Sequence, residues 1–274
     1  MVVVAHPGDE AFGFGGAIAQ AAASGSYVVV VCGTRGKFDR RLLEKAPAPG
    51  GRNRGFGRPV VWRNLDTIRE DEMRRSVALL GVRVLRMLDY SEEGLSGVDF
   101  EELVGRLVEP IRMHRPEVIL GFGPEGVTGD ADHVVMGRAT DAAFDRAAEP
   151  LAYEDDIEED QVAWRAAKLY HLVVPESQLA PLGERAPAGY GSPIGTDTLT
   201  LELGDLVDLK LQAISRHVTQ TGSGGPFEDW STDERNAYLA TEHYRLARSN
   251  IPVPAGAAQT AESSLWDGLA QPAP

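Results

Sequence analysis

Short apolar runs alternate with longer amphipathic stretches along most of the chain. Wholly apolar runs such as VVVA at 2–5 are typical of parallel strands that are covered on both faces. Apolar residues at helical spacing between these runs predict helices that pack on the sheet. The predicted strands are 2–5, 27–32, 82–88, 117–122, 167–174 and 196–203. The predicted helices are 11–24, 65–80, 99–114, 133–147, 205–218 and 232–249.

The order of these elements predicts one α/β domain over residues 1–274. Strands that alternate with helices favour a Rossmann-like, largely parallel sheet with helices on both faces. Three stretches lack periodicity: a Gly-, Pro- and Arg-rich segment at 33–64, an acidic segment at 149–161, and a Pro/Ala-rich tail from about 251. We expect a long loop, a solvated loop and an irregular tail, respectively.

The charge balance narrows the classes of partner. The chain has 27 basic and 41 acidic residues and a formal net charge of −14. Neither a nucleic-acid surface nor binding to anionic lipid fits this sign. The single cysteine, Cys32, lies in a predicted buried strand and allows no intramolecular disulfide. Without an apolar stretch of membrane-spanning length or a recognisable leader, we expect a cytoplasmic protein.

Polar side chains cluster after two of the predicted strands. HPGDE at 6–10 follows the first strand, and TGDADH at 128–133 follows the fourth. Ligands bind at the carboxyl ends of such strands, so His6, Asp9 and His133 are predicted to meet there. Two imidazoles and one carboxylate form a typical site for Zn²⁺, or for Fe²⁺ in an oxygenase. Asp132 is predicted to orient an imidazole from behind.

A purely structural role is the alternative for each residue of this set. Asp9 and Asp132 each precede a predicted helix, so either is also a candidate N-cap. The glycines of GFGGA at 13–17 resemble a dinucleotide-binding loop. That motif should begin at the strand end, and an acidic residue should close the second strand. Here HPGDE intervenes and the second strand ends in Cys32, so close helix–sheet packing explains the glycines better.

At this point a family resemblance becomes visible. AHPGDEAFGFGG resembles the AHPDDE signature of the LmbE/PIG-L-like zinc-dependent N-deacetylases, and TGDADHVVMGRATDAAF resembles their GHPDH signature. IREDEMRRSVALLGV and LDYSEEGLS resemble family segments between these two motifs. The resemblance covers roughly 2–147 and extends more loosely to AISRHVTQ near 213–220.

The resemblance implies an activity and a set of roles. It implies a zinc-dependent amide hydrolase for an N-acylated amino sugar or sugar conjugate, with another divalent metal as an alternative. The implied metal ligands are His6, Asp9 and His133, the trio reached above. Arg69, Glu92 and His217 match positions near substrate in relatives. The structural alternatives are an exposed, ion-paired helix charge for Arg69 and a surface or helix-capping histidine for His217.

Two departures from the family pattern weaken the implied activity. The aspartate that serves as general base in relatives is Gly8 here, and the first histidine of GHPDH is Asp130, followed by Ala131. We expect Asp130 to act as a replacement base or a fourth ligand, with Asp132 beside it in the catalytic set. The chain is therefore predicted to be a weakened or rewired deacetylase. The alternative is an inactive pseudo-deacetylase that binds a sugar-like ligand or a partner.

Arginines dominate the predicted long loop. They are Arg35, Arg40, Arg41, Arg52, Arg54, Arg58 and Arg63. We expect this segment to face a negatively charged part of the substrate or a neighbouring subunit of a homo-oligomer.

Overall fold

The computed structural model describes residues 1–36, 65–90, 94–153, 161–185, 191–192, 195–221, 227–252 and 262–269. The strands are β1 (Val2–Val4), β2 (Val29–Thr34), β3 (Val84–Tyr90), β4 (Val118–Phe122), β5 (Lys168–Val173), β6 (Leu199–Glu202) and β7 (Thr241–Ser249). The helices are α1 (Asp9–Ala23), α2 (Leu65–Leu79), α3 (Phe100–His114), α4 (Gly126–Gly129), α5 (Ala131–Arg146), α6 (Glu176–Leu179), α7 (Leu206–Ile214), α8 (Val218–Thr221) and α9 (Thr232–Leu239). A 3₁₀ helix spans Ala180–Arg185.

One seven-stranded sheet runs through the described residues in the order β3-β2-β1-β4-β5-β7-β6. The pairs β1–β2, β2–β3, β1–β4 and β4–β5 are parallel, whereas β7 is antiparallel to both β5 and β6. Helices α1, α2 and α7 form one layer, and α3 packs with α5 in the other. The predicted largely parallel α/β sheet is confirmed.

The helix predicted at 232–249 is wrong in its second half. Helix α9 ends at Leu239, and Thr241–Ser249 forms strand β7 between β5 and β6. The strand lacks an apolar run because Glu242 is buried on it beside Tyr244, and this charge interrupts the expected pattern. The helix predicted at 205–218 is likewise two helices, α7 and α8.

Helix α1 lies unusually close to the sheet. A Cβ atom on Gly13 would lie 2.6 Å from Leu172 Cδ2, and one on Gly16 would lie 2.3 Å from Leu203 Cδ2. Side chains at these positions would push the helix off β5 and off the segment that follows β6. The close-packing interpretation of GFGGA is therefore supported, and the glycines bring the first turn of α1 close to the strand ends.

The aperiodic stretches lie largely outside the described residues. This holds for 37–64 and its arginines, for 154–160, and for 253–261 and 270–274 of the tail. Arg35 is described, and its Nε donates to Asp89 Oδ1 at 2.7 Å. The tail is anchored at Glu262, which accepts hydrogen bonds from Lys168 Nζ and Tyr170 Oη. Among the described helices, none combines the length and apolar character needed to cross a bilayer.

Candidate active site

The two polar loops meet at the carboxyl ends of β1 and β4. His6 follows β1, and Asp9 opens helix α1 after a tight turn in which Asp9 Oδ2 accepts the His6 backbone N–H at 2.8 Å. His133 lies in the first turn of α5, the helix that follows β4 and the short α4. The ring centroids of His6 and His133 are 5.3 Å apart. The parallel order of β1 and β4 thus brings together residues that are distant in sequence.

Three side chains converge on one point. Asp9 Oδ2 lies 3.6 Å from His6 Nδ1 and 3.4 Å from His133 Nε2. One donor atom from each of the three residues lies within 4.8 Å of the other two. The two histidines are therefore close enough to share an ion, which is the geometric requirement of the predicted metal site.

In each imidazole, the nitrogen that points away from Asp9 already has a hydrogen-bond partner. Asp132 Oδ2 lies 2.9 Å from His6 Nε2, and its Oδ1 accepts the backbone N–H of Leu95 at 2.9 Å. Thr128 Oγ1 lies 3.2 Å from His133 Nδ1. Phe122 stacks on the His133 ring with centroids 4.2 Å apart and planes 9° from parallel. These contacts fix both rings so that the other nitrogen of each faces Asp9.

The electrostatics of the three groups are strongly coupled. Burial favours neutral His6, but hydrogen bonds with Asp132 and Asp9 outweigh it and raise the pKa of the ring to about 9. Burial acts to raise the pKa of Asp9, yet the two imidazoles hold it well below its ordinary range. Burial also disfavours charge on His133, and the Asp9 carboxylate raises the pKa of that ring overall. The cluster is built to hold opposite charges together.

The donor set fits a divalent cation. Two imidazole nitrogens face one carboxylate oxygen, and the second nitrogen of each ring is held by an outer partner, as is usual for histidines that bind metal. Such N₂O sets suit zinc and related first-row ions. Asp132 is fully buried and lies behind the His6 imidazole, on the side away from Asp9.

Asp130 has a structural contact of its own. Its carboxylate caps helix α5 by accepting the backbone N–H groups of Asp132 at 2.8 Å and His133 at 3.4 Å. It also forms a second compact group with His6 and Asp132, with donor atoms within 4.8 Å of one another. Asp130 therefore both begins the helix that carries His133 and lies beside the histidine pair.

Of the residues predicted to contact substrate, Arg69 and His217 are described and both are buried. Arg69 is 5% exposed and packs against Gly36, so the alternative of an exposed helix charge is wrong. His217 is fully buried, with Nε2 2.7 Å from Glu10 Oε1, which excludes a surface histidine. In this arrangement neither side chain lines the pocket beside the three converging residues. Glu92 lies outside the described residues.

The first motif is braced from the far end of the chain. Glu10, fully buried, contacts His217 through one carboxylate oxygen and accepts the Gly8 backbone N–H at 2.8 Å through the other. Gly8 has φ +108°, a backbone conformation that L side chains rarely adopt. Three residues beyond His217, the side chain of Gln220 lies against Gly8. The resembling segment AISRHVTQ ends at Gln220, but the sequence gives this residue no predicted role.

A cavity of about 270 Å³ opens beside Asp9 and His133. Gly8 and Gln220 lie on its wall, and Thr128 contributes a hydroxyl. The remaining side chains of the wall are apolar or aromatic: Phe12, Phe122, Val127, Leu172, Val174, Leu179, Phe227, Trp230 and Tyr238. Such a wall offers van der Waals contact over most of its area, with a few polar groups among the apolar ones.

Comparison with known proteins gives these features a context. The family model described as PIG-L, GlcNAc-PI de-N-acetylase, matches residues 1–144, just over half of the chain. A 1D-myo-inositol 2-acetamido-2-deoxy-alpha-D-glucopyranoside deacetylase of Geodermatophilus obscurus is 29% identical over 303 residues, covering 98% of this chain and 97% of its own length. A protein of the same name from Streptomyces griseus is 28% identical, with 98% of this chain and 88% of its own length covered.

Solved structures share the fold at lower identity. The N,N'-diacetylchitobiose deacetylase of Pyrococcus horikoshii has a TM-score of 0.65 at 20% identity, covering 89% of this chain and 82% of its own. GalB, the 4-carboxy-2-hydroxymuconate hydratase of Pseudomonas putida KT2440, has a TM-score of 0.60 at 16% identity, covering 92% and 97%. The same fold thus carries both a deacetylase and a hydratase, so the fold by itself does not fix the reaction.

Proposed function

The chain belongs to the PIG-L family of GlcNAc-PI de-N-acetylases, and on that premise we propose that it is a metal-dependent N-deacetylase. The observation that carries the proposal is the convergence of His6, Asp9 and His133 on one point beside a cavity that Asp9 and His133 line. A bound cation there would be reached by an amide placed in the cavity. The reaction is the hydrolysis of an N-acyl group to a carboxylate and a free amine.

The proposed substrate is an N-acylated amino sugar or a conjugate of one. Its support is the pair of relatives described above, whose names specify a 2-acetamido-2-deoxy-glucopyranoside joined to inositol and whose similarity spans 98% of this chain. The apolar wall of the cavity would contact the acyl group or a hydrophobic face of the sugar. The polar groups on the same wall would contact the amide.

The proposed metal is Zn²⁺, held by His6, Asp9 and His133. When bound, zinc would polarise the acyl carbonyl and lower the pKa of water to about 7. Asp132 would keep the His6 ring in the required orientation and tautomer, and Thr128 would do the same for His133. Removing such outer partners typically lowers metal affinity by about 10–100-fold.

Proton transfer is the weak point of the proposed enzyme. No side chain exists at Gly8, where the family pattern has its general base. A positioned base contributes about 10²–10⁴ in rate, so turnover slower by that factor is expected unless another group substitutes. Asp130 lies beside His6 and is the carboxylate we propose as substitute, although its N-cap contacts hold one of its oxygens.

Metal content and turnover of the purified protein test the proposal together. We expect about one zinc per chain and slow release of acetate from an N-acetylglucosaminyl-inositol substrate. Asp130→Ala is expected to abolish that residual activity. The matched control is Asp130→Asn, which keeps an N-cap oxygen without a basic carboxylate, so it separates loss of base from loss of the helix cap. Undiminished turnover in Asp130→Ala would remove Asp130 from the mechanism.

A catalytically inactive binder is the second candidate, and Gly8 is the observation that favours it. A pseudo-deacetylase would bind metal and an N-acylated sugar without releasing acetate. Stoichiometric zinc and saturable sugar binding with no acetate after prolonged incubation would support this candidate. Any metal-dependent release of acetate that is lost in His133→Ala would exclude it.

A further inference from the structure

The space beside Gly8 is filled from another part of the chain. A Cβ atom on Gly8 would lie 2.4 Å from Gln220 Oε1 and 3.0 Å from both Gln220 Cδ and Nε2. The end of the glutamine side chain therefore occupies the position of the first atoms of any side chain at residue 8. We propose that Gln220 is a further catalytic residue, whose amide oxygen accepts a hydrogen bond from the water that attacks the acyl carbon. This inference rests on the proposed function.

The location of Gln220 supports a contact with reactants. It lines the same cavity as Gly8, Asp9 and His133. Its Oε1 is buried and has no hydrogen-bond partner among the residues that the structure describes. A buried acceptor is costly to leave without a donor, so this oxygen of a cavity-lining residue is suited to a donor that arrives with the ligand or as water.

Two buried carboxylates hold Gln220 in place. Glu72 accepts the backbone N–H of Thr219 at 2.9 Å through one oxygen and its hydroxyl at 2.6 Å through the other. Glu10 contacts His217 and the backbone of Gly8, so helix α8 and the first motif share one support. Gln220 is thus positioned by contacts on both sides of its short helix, as orienting a water molecule requires.

The chemistry of an amide defines what Gln220 can do. Its oxygen accepts a hydrogen bond and takes up no proton near neutral pH, and glutamine orients attacking water in this way in GTPases. The water oxygen bonds to the acyl carbon as the C–N bond breaks. One water proton passes to the leaving nitrogen, and the other stays on the new carboxyl group until solvent removes it. Gln220 keeps its own hydrogens throughout and supplies orientation only.

Replacement of the amide separates its acceptor role from its shape. With an N-acetylglucosaminyl-inositol substrate, Gln220→Met should lower kcat about tenfold, the effect of one hydrogen bond lost from the transition state. KM and zinc affinity by titration calorimetry should stay within about twofold, because no ligand to the metal changes. Gln220→Glu keeps an acceptor of the same length and adds a carboxylate that can take a proton, so turnover should equal or exceed that of wild type. The control is Thr221→Ala, at an exposed residue of the same helix.

Two results of this comparison overturn the inference. Unchanged kcat in Gln220→Met shows that the amide makes no contact that matters to the reaction. Equal losses in Gln220→Met and Gln220→Glu show that shape, and not an acceptor oxygen, is what the site requires.

A stability cycle tests the placement of Gln220 without any turnover. Thermal unfolding of Gly8→Ala, Gln220→Ala and the double variant should be non-additive. Gly8→Ala should lower Tm less in the Gln220→Ala background, because the 2.4 Å contact is then absent while the backbone strain remains. Additive shifts in Tm would contradict the placement.

The two experiments together distinguish failure of the inference from failure of the proposed function. A wild-type chain with no turnover of any N-acylated sugar, together with a non-additive cycle, removes the proposed function and the catalytic role but leaves the placement. Normal turnover with a silent Gln220→Met removes the inference alone.

Discussion

Helix α1 contacts two buried charged clusters that differ in one respect. At its first turn, Asp9 faces two imidazole nitrogens across 3.4 and 3.6 Å. About two turns further along the helix, Glu242 of β7 accepts the backbone N–H groups of Gly16 at 2.7 Å and Ala17 at 2.8 Å. The same carboxylate also accepts hydrogen bonds from Lys210 Nζ at 2.6 Å and from Tyr244 Oη at 2.7 Å.

The Glu242 cluster is closed and the Asp9 cluster is open. All the donors around Glu242 lie at direct hydrogen-bonding distance, and Lys210 and Glu242 are each only 2% exposed in their side chains. Around Asp9 the two imidazole nitrogens lie 3.4 and 3.6 Å away, farther than any donor around Glu242, and Asp9 and His133 border a cavity. A buried ion pair needs all its bonds made to be tolerated. Buried charge alone therefore does not mark a functional site, whereas converging donors beside a cavity do.

Glu242→Ala should break the closed cluster with the largest effect on stability. It leaves the Lys210 ammonium buried without its partner and strips two N–H groups of α1 of their acceptor. We expect a loss of about 3–5 kcal/mol in the free energy of unfolding, measured by urea denaturation. The control, Glu202→Ala at an exposed position of β6, should cost less than about 0.5 kcal/mol. A loss as small as that of the control would show that the pair contributes little.

Asp9→Asn should break the open cluster without unfolding it. The amide oxygen can still accept the His6 backbone N–H, but it brings no negative charge to a cation. Zinc affinity by competition with a chelator should fall by at least about 100-fold. Stability of the metal-free chain should change less than in Glu242→Ala. Asp205→Asn, on an exposed residue before α7, serves as the control, and full zinc affinity in Asp9→Asn would exclude Asp9 as a ligand.

Asp132→Asn should weaken the open cluster indirectly, through the contact of residue 132 with His6. The variant loses a charged partner of His6 Nε2, and zinc affinity should fall about 10–100-fold. The exposed Asp145→Asn on the same helix should have no effect. An affinity equal to that of wild type would show that Asp132 serves the fold around Leu95 and not the metal.

Tyr244→Phe tests the closed Glu242 cluster through the pH dependence of its stability. Burial first, and then the neighbouring Glu242 carboxylate, raise the pKa of Tyr244 well above its ordinary value. A group whose pKa is raised on folding contributes stability below its unfolded pKa of about 10 and loses it as pH rises beyond that value. Measured by urea denaturation near pH 7, the free energy of unfolding of wild type should exceed that of Tyr244→Phe by about 1.5 kcal/mol, because the variant loses one hydrogen bond to a charged group. The difference should shrink above pH 10, and a difference independent of pH would contradict the assignment.

The sequence predicts the fold and the open cluster because both depend on local signals. Apolar runs mark β1, β2 and β4, and the polar residues that follow β1 and β4 must meet if those strands are parallel neighbours. The pattern does not predict strand β7, because Glu242 is buried on it and interrupts the apolar positions. Its charge is acceptable only beside Lys210, on a helix that no local pattern links to β7.

Gln220 escapes for a similar reason. The resemblance at AISRHVTQ points to His217 and gives Gln220 no role, and the position of Gln220 depends on two carboxylates, Glu72 and Glu10, that are far away in sequence. The exposure of Arg69 and His217 was equally beyond a local pattern, since both are buried by packing between elements. Chemistry that is concentrated in one loop can be predicted, whereas chemistry assembled across layers needs coordinates.

The contact between Glu10 and His217 joins residues 207 positions apart. During translation the HPGDE segment is synthesised early, and His217, which contacts it in the folded chain, is synthesised much later. During that interval the Glu10 side chain, which is buried in the folded chain, lacks its partner His217. The contact can form only after His217 has left the exit tunnel, so the HPGDE turn, and with it the proposed metal site, reaches its final form late in maturation of the nascent chain.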